Sequence, residues 1–325
     1  MKKGKDLRIL VTGGAGFVGS HLVESLILAG HDVHALDNLS QGSLENVDPR
    51  AHFHQADICD PEQLAQVFSL AQPEAVFHYA AQTSVQVSIE DPGFDAQTNV
   101  IGTLNVVRGA VRCGSRRLIY ASAGGAVYGD PKYVPVDEEH PTCPLCPYAT
   151  SKLVGEHYVK LYHHLSELEY VVLRFTNIYG PRQRFSSKNG AVAVFLGQLL
   201  SGKPPGIFGD GSNTRDFLYV TDAVSAAILA LESQPNLTLN IGTTRPVSIL
   251  GIARRLQDLL DTSQEVQFHP ARKGEVRHIA LDPSRARQAL GWEAQVCLEE
   301  GLQRVVKWKL SQSSEKQAFS LVAKR

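Results

Sequence analysis

Two short stretches of this 325-residue chain carry residue types that could do chemistry together. The first is Thr12-Gly13-Gly14-Ala15-Gly16-Phe17-Val18-Gly19, which follows a β-branched apolar run and precedes an amphipathic stretch. In such a turn the first glycine permits the bend, the second lets backbone approach a pyrophosphate, and the third lets helix pack on strand. The amides opening the helix then face the phosphates, with the positive end of the helix dipole behind them. Asp37 stands 18 positions after Gly19, at the end of a second predicted strand. A carboxylate there accepts from both ribose hydroxyls of NAD and repels the extra phosphate of NADP. No Arg or Lys lies between Asp37 and Val47 to reverse that preference.

The second stretch is Tyr148-Ala149-Thr150-Ser151-Lys152, which sets a phenol and an ammonium on one helix face. A free phenol has a pKa near 10 and is a poor base at neutral pH. A nearby ammonium and a cationic nicotinamide favour phenolate and bring the group toward working pH. Tyr-x-x-x-Lys alone recurs by chance, and its meaning here comes from the dinucleotide turn.

These groups need a frame that brings residue 13 to residue 148. Residues 7–11, 32–36, 51–55, 75–79, 117–120 and 170–175 read as strands. Residues 18–29, 61–70, 99–112 and 148–165 read as helices between them. That alternation implies an α/β fold: a doubly wound parallel sheet of Rossmann type with right-handed crossovers. The second half is less regular. Residues 190–200, 222–231 and 249–260 read as helices and 239–241 as a strand; 203–213 read as loop with a short strand, and 311–325 as a loosely ordered polar end. The length suggests about two domains. The cofactor fold is expected over 1–177, taking back 215–241, and a smaller α/β substrate-binding part over 178–214 and 242–325.

Composition excludes other classes. Lys+Arg is 32 and Asp+Glu 33, a net charge of −1, which lacks the basic excess of a nucleic-acid binder. The apolar run at 190–200 is too short to span a membrane. Five scattered cysteines suit reduced thiols in a cytoplasm. Cys143-Pro144-Leu145-Cys146 has no second ligand pair for zinc, and His52, His54 and His163-His164 show no carboxylate or cysteine at metal spacing, so no metal is expected.

Taken together, the motifs resemble the extended short-chain dehydrogenase/reductases, and among them the NAD-dependent nucleotide-sugar 4-epimerases typified by UDP-galactose 4-epimerase. The resemblance runs over nearly the whole chain: the glycine turn, Asp57-Ile58, Ala80-Ala81-Gln82, Thr98-Asn99-Val100-Ile101-Gly102-Thr103, Tyr148 with Lys152, and Arg174-Phe175-Thr176-Asn177-Ile178-Tyr179-Gly180-Pro181-Arg182-Gln183. It implies NAD contacts from Gly13, Gly16, Phe17, Val18, Gly19, Asp37, Asn38, Ser40, Gln41, Gly42, Asp57, Ile58, Ala80, Ala81, Gln82, Asn99, Tyr148 and Lys152. It implies a UDP-sugar held by Ser84, Asn177, Ala191, Val192, Ile207, Phe208, Arg215, Arg272 and Glu275. Asn177, Arg215 and Arg272 would meet the diphosphate, Ile207 and Phe208 the uracil, and Glu275 the ribose; guanidinium–phosphate and carboxylate–hydroxyl pairing suit those roles. It also implies a homodimer through helices 99–112 and 148–165.

One catalytic position departs from the pattern. Tyr120-Ala121-Ser122-Ala123-Gly124-Gly125 normally carries Ser or Thr before Gly-Gly, whose hydroxyl bridges the sugar 4-OH and the tyrosine. Here it is Ala123, and a methyl group cannot relay a proton. Ser122 is adjacent, but successive strand residues point to opposite faces. An introduced Ser/Thr→Ala replacement, direct transfer to Tyr148, or binding without turnover would each account for it, and a one-way dehydrogenase or reductase is the enzymatic rival. Gly124-Gly125 also lacks the acids that relatives use for dehydration or decarboxylation. Ile279, four after Glu275, is expected to gate room for an N-acetyl group. Arg182, Arg184 and Lys188 would add charge suited to a uronate.

Overall fold

The computed structural model describes residues 6–185 and 190–322. Strand β1 (Arg8–Thr12) leads through the glycine turn into α1 (Phe17–Leu28), then β2 (Asp32–Asp37), β3 (His52–Gln55), α2 (Pro61–Ala71) and β4 (Ala75–His78). Two short helices, α3 (Val85–Glu90) and α4 (Pro92–Ala96), precede α5 (Thr103–Arg112). Then come β5 (Arg117–Ala123), α6 (Gly124–Val127), the long α7 (Pro147–Ser166) and β6 (Glu169–Phe175). The helix expected over 99–112 is not continuous α-helix: Gln97–Gly102 is π-helical and α5 begins only at Thr103.

The second half holds β7 (Asn177–Tyr179), α8 (Ala191–Leu200), β8 (Gly206–Phe208), β9 (Thr214–Tyr219), α9 (Val220–Glu232), β10 (Leu237–Ile241), β11 (Pro246–Ser248), α10 (Ile249–Leu259), β12 (Gln267–His269), α11 (Ser284–Leu290) and α12 (Leu298–Val322). The polar end expected to be loosely ordered continues as α12 through Val322. It starts with Glu299 and Glu300 in its first turn, where acids suit the helix dipole. Lys188 lies outside the described residues.

Seven parallel strands form the main sheet in the order β10-β6-β5-β4-β1-β2-β3. Strand alternation divides the core. Ile9, Val11, Ala75 and Phe77 face one layer with α1 and α9, while Leu10 and Val76 face the other with α2 and α5. All are buried, so these strands read as near-continuous apolar runs, as a sheet covered on both faces demands. Strand β10 joins the sheet edge beside β6, and α9 lies against α1. A three-stranded sheet, β11-β9-β7, and the pair β12-β8 build the rest. No helix is long and apolar enough to cross a membrane among the described residues.

One expectation fails at the sheet edge. Parallel pairing sets His34 opposite His52, and His52 Nε2 lies 3.3 Å from Asp32 Oδ1. The histidine thus has a carboxylate partner 20 residues away in sequence, which a search at local metal spacing misses.

Candidate active site

A cavity of ≈1010 Å³ opens at the carboxyl ends of β1 and β4, where the strand order reverses, and runs into the loops of the second half. That is where ligands bind in open doubly wound sheets, and the volume suits more than one drug-sized molecule. At its first end the glycine turn is forced by close approach. Gly13 has φ +72°, and a Cβ there would stand 2.7 Å from the Ala80 backbone nitrogen. A Cβ on Gly19 would fall on the Gly13 carbonyl oxygen. Asp37 ends β2 with its carboxylate fixed by the amides of Ala15, at 3.1 Å, and Leu39, at 2.8 Å. Burial raises its pKa against those bonds. Asp57 is held by the Asn38 amide and the Cys59 backbone; burial works to raise its pKa, but the bonds win and leave it lowered. Gly16, Phe17, Val18, Asn38, Ser40, Gln41, Gly42, Ile58, Ala80 and Ala81 line the same end.

The middle of the cavity is built by the end of β5 and the start of α7. Ala123 lines it as a small methyl surface, with Tyr148 and Lys152 also in the wall. Lys152 is buried, its ammonium 4.3 Å from the centre of the Tyr120 ring. Desolvation brings its pKa down to about 7, against the pull of Glu156 and Asp95. The Tyr148 pKa runs opposite to the sequence expectation: burial pushes it up, and Cys146 and Asp95 add to the rise.

Ser122 is no substitute for the missing hydroxyl. Its Oγ donates to Glu156 Oε1 at 2.6 Å, inside a buried network where Arg174 bonds both Glu156 oxygens and the Tyr128 hydroxyl. Asn99 does not reach the cavity wall. It lies one layer behind, its amide donating to the Gln82 carbonyl at 2.9 Å and to Asp95 Oδ1 at 3.0 Å, and it fixes Gln82, which does line the cavity. Ser84 caps α3 at the rim, accepting from the Val87 amide.

The far end is cationic. Alternation along β9 turns Asp216 inward, where it accepts from Thr243 and Leu281, and Arg215 toward the cavity. The Arg215 guanidinium donates to the carbonyls of Thr214 and Arg277, and among the described residues no carboxylate pairs with it directly. Burial lowers its pKa, with Glu275 and Asp130 pulling it back up; a guanidinium remains charged regardless. Arg272 lies 3.4 Å over the Phe208 ring and 3.7 Å from Glu275. One face of the ring expected against the uracil is thus covered by the arginine expected at the phosphate.

Three further expectations are corrected. Val192 packs in the main core and does not line the cavity, whereas its helix neighbours Ala191 and Val194 do. Ile279 is fully buried in a small apolar cluster with Tyr128 and Leu281, and Val276 takes the wall position. Arg182 pairs with Glu24 of α1 at 2.7 Å, and Arg184 donates to the Gly42 carbonyl at 3.1 Å, so both are spent on the cofactor half. Asn177 and Ile207 line the cavity as expected.

Among the described residues six buried side-chain polar atoms have no partner, and four of them belong to cavity residues: Tyr79, Gln86, Asn177 and Gln183. Buried polar atoms are rarely left alone, so this cluster marks a place for a polar ligand. Tyr79, Gln86 and His269 carried no sequence signal, since they lie outside the recognisable motifs.

Residues 9–242 match the NAD dependent epimerase/dehydratase family. The chain belongs to this family. As a member it is an NAD-using enzyme, and the glycine cradle with Asp37 fits that cofactor. Its sequence is 43 % identical over 300 residues to the putative UDP-glucose 4-epimerase of Methanocaldococcus jannaschii, covering 92 % of this chain and 97 % of that one. The UDP-glucose 4-epimerase of Thermotoga maritima, solved with UDP-glucose, superimposes with a TM-score of 0.91 at 42 % identity, over 94 % of this chain and 99 % of the other. That of Thermus thermophilus, solved with NAD, gives 0.89 at 38 % identity, over 92 % and 98 %. Within this epimerase/dehydratase chain, the cradle, the tyrosine–lysine pair and the arginine end share one cavity.

Proposed function

We propose that this chain inverts C4 of a UDP-sugar, interconverting UDP-glucose and UDP-galactose through a 4-keto sugar. The observation that carries the reading is that Tyr148 and Lys152 stand between a dinucleotide cradle and the guanidinium groups of Arg215 and Arg272, in one cavity. Bound in the cradle, NAD supplies a hydride acceptor at the nicotinamide that returns what it takes. Gly13 shapes the turn and Gly16 would admit its pyrophosphate, and Asp37 would accept from its ribose. Tyr148 takes the proton of the sugar 4-hydroxyl and gives it back to the same oxygen after the keto sugar has turned, so that hydride would return to the opposite face of C4. Lys152, protonated, favours the phenolate that this requires. Arg215 and Arg272 hold the diphosphate while the keto sugar turns, and the unpaired amide oxygen of Asn177, in the same cavity wall, is an acceptor for a ligand hydroxyl. With Ala123 in the relay position, the proton passes directly between sugar and Tyr148. Glucose and galactose forms are favoured over a uronate because Arg182 and Arg184 face the cofactor half.

The cofactor part covers 1–177 with 215–241, and the sugar-nucleotide part 178–214 with 242–325; the pairing of β10 with β6 supports this division. Two copies pair through α5 and α7, a face that exposes Leu161 and Leu165, and light scattering should then give about twice 35.5 kDa. The test of function incubates the purified chain with UDP-glucose and measures UDP-galactose and NADH absorbance. Conversion with no accumulating NADH is expected. Stoichiometric NADH release would replace the reading with a one-way dehydrogenase. Ala123 favours a second reading, binding without turnover. That reading wins if neither the chain nor Ala123→Ser converts glucose, N-acetylglucosamine or glucuronate forms.

A further inference from the structure

Away from the cavity, the amino-terminal part of β2 and the edge strand β3 gather imidazoles and a carboxylate that neither the core nor the proposed reaction uses. Asp32 and His34, two apart on β2, project to one side, and register brings His52 beside His34. The three offer ligand atoms that all lie within 4.8 Å of one another. His52 Nε2 is 3.3 Å and His34 Nε2 is 4.0 Å from Asp32 Oδ1. Bonds of about 2.0–2.2 Å in a tetrahedral zinc site set ligand atoms about 3.3 Å apart, so one pair already fits and the other is close. The His52 and Asp32 side chains are 62 % and 43 % exposed, which leaves them free to turn.

A second observation points the same way. His34 Nδ1 is 2.9 Å from His54 Nε2. When His34 donates there, its Nε2 carries the lone pair, directed toward Asp32. Metal-bound histidines nearly always spend the second ring nitrogen in this manner, which fixes tautomer and ring orientation. Arg8, opposite Asp32 on β1, is the cation facing this cluster; its Nε is held by the Gln72 carbonyl.

We propose that Asp32, His34 and His52 bind one divalent transition-metal ion of the zinc type, with His54 orienting His34, and that the ion fastens edge strand β3 to β2. Two imidazoles and one carboxylate select zinc, nickel or copper over calcium or magnesium, and three protein ligands leave a position for water.

The test uses the full chain with its NAD, stripped by chelator and titrated with ZnCl₂ in a non-coordinating buffer. Calorimetry should give one saturable site, and melting temperature should rise by about 3 °C at saturating metal. His52→Ala, at an exposed position that the fold does not need, should weaken binding at least about tenfold and remove the thermal shift. Asp32→Asn should weaken it similarly. His163→Ala with His164→Ala should leave both readouts unchanged, which separates this site from surface histidines. Absence of a one-to-one site in the wild type, or His52→Ala binding zinc like the wild type, would overturn the proposal.

Discussion

The two ends of the large cavity bind charge by opposite means. At the glycine-turn end the work is done by backbone and a short, fixed acid: glycines with no room for a Cβ, and Asp37 clamped by two amides. At the cationic end it is done by long side chains, Arg215 and Arg272, the first tied to backbone carbonyls and the second laid on Phe208. The first end is preorganised and costs little entropy on binding. The second must order flexible groups around its ligand. A cofactor that is regenerated each cycle suits the rigid end, and a substrate that must turn and leave suits the adjustable one.

Substitutions at the two ends should therefore fail differently. Tyr148→Phe, at the meeting point, should lower turnover by about 10³-fold or more while UDP-glucose binding, followed by calorimetry, stays near wild type. Gly19→Ala puts a methyl on the Gly13 carbonyl, so the chain should purify with little or no NAD; retention of a full complement would break the contrast. Arg215→Ala should raise KM for UDP-glucose by about 10–100-fold with NAD content intact, the loss expected for one charge-assisted contact of about 1.5–3 kcal/mol. Ala123→Ser, which restores a hydroxyl to the cavity wall, should raise turnover by about tenfold.

The smallest effect concerns stability. Lys152 has a folded pKa of about 7 against 10.5 for a free lysine. Between those values the unfolded chain binds more protons, so the penalty of burying this ammonium is fully present at low pH and is relieved as pH rises from about 7 toward 10. Lys152→Met should thus raise the melting temperature at pH 6 by about 2 °C or more, and the gap to wild type should close by pH 10. An equal gap at both pH values would show that the ammonium is not desolvated.

The same contrast explains what was legible in the sequence. The parallel sheet and glycine turn were readable because backbone requirements leave marks in the chain: short near-continuous apolar runs alternating with helical stretches, then Gly13, Gly16, Gly19 and Asp37 at fixed spacing. The cationic end was readable only through family motifs, and its details went astray. Val192 turned into the core because helix geometry, not adjacency to Ala191, decides which side chain faces the cavity. Arg182 and Arg184 line the cofactor half of the cavity because their partners on α1 and at Gly42 lie over 140 residues earlier. The raised Tyr148 pKa depends on burial, which no local pattern reports. Asp32 and His52 meet only through strand register.

The position of β10 has a consequence for how the chain comes off the ribosome. Strand β6 is complete at Phe175, but the neighbour that covers its outer edge does not begin until Leu237. During synthesis at about 5–20 residues per second, a nascent six-stranded sheet waits several seconds with that edge open. A truncated product ending between these strands would keep the edge permanently, and an open parallel edge is a template for aggregation. The returning strand thus makes the whole length of the chain, rather than its first half, the unit that can leave the ribosome safely.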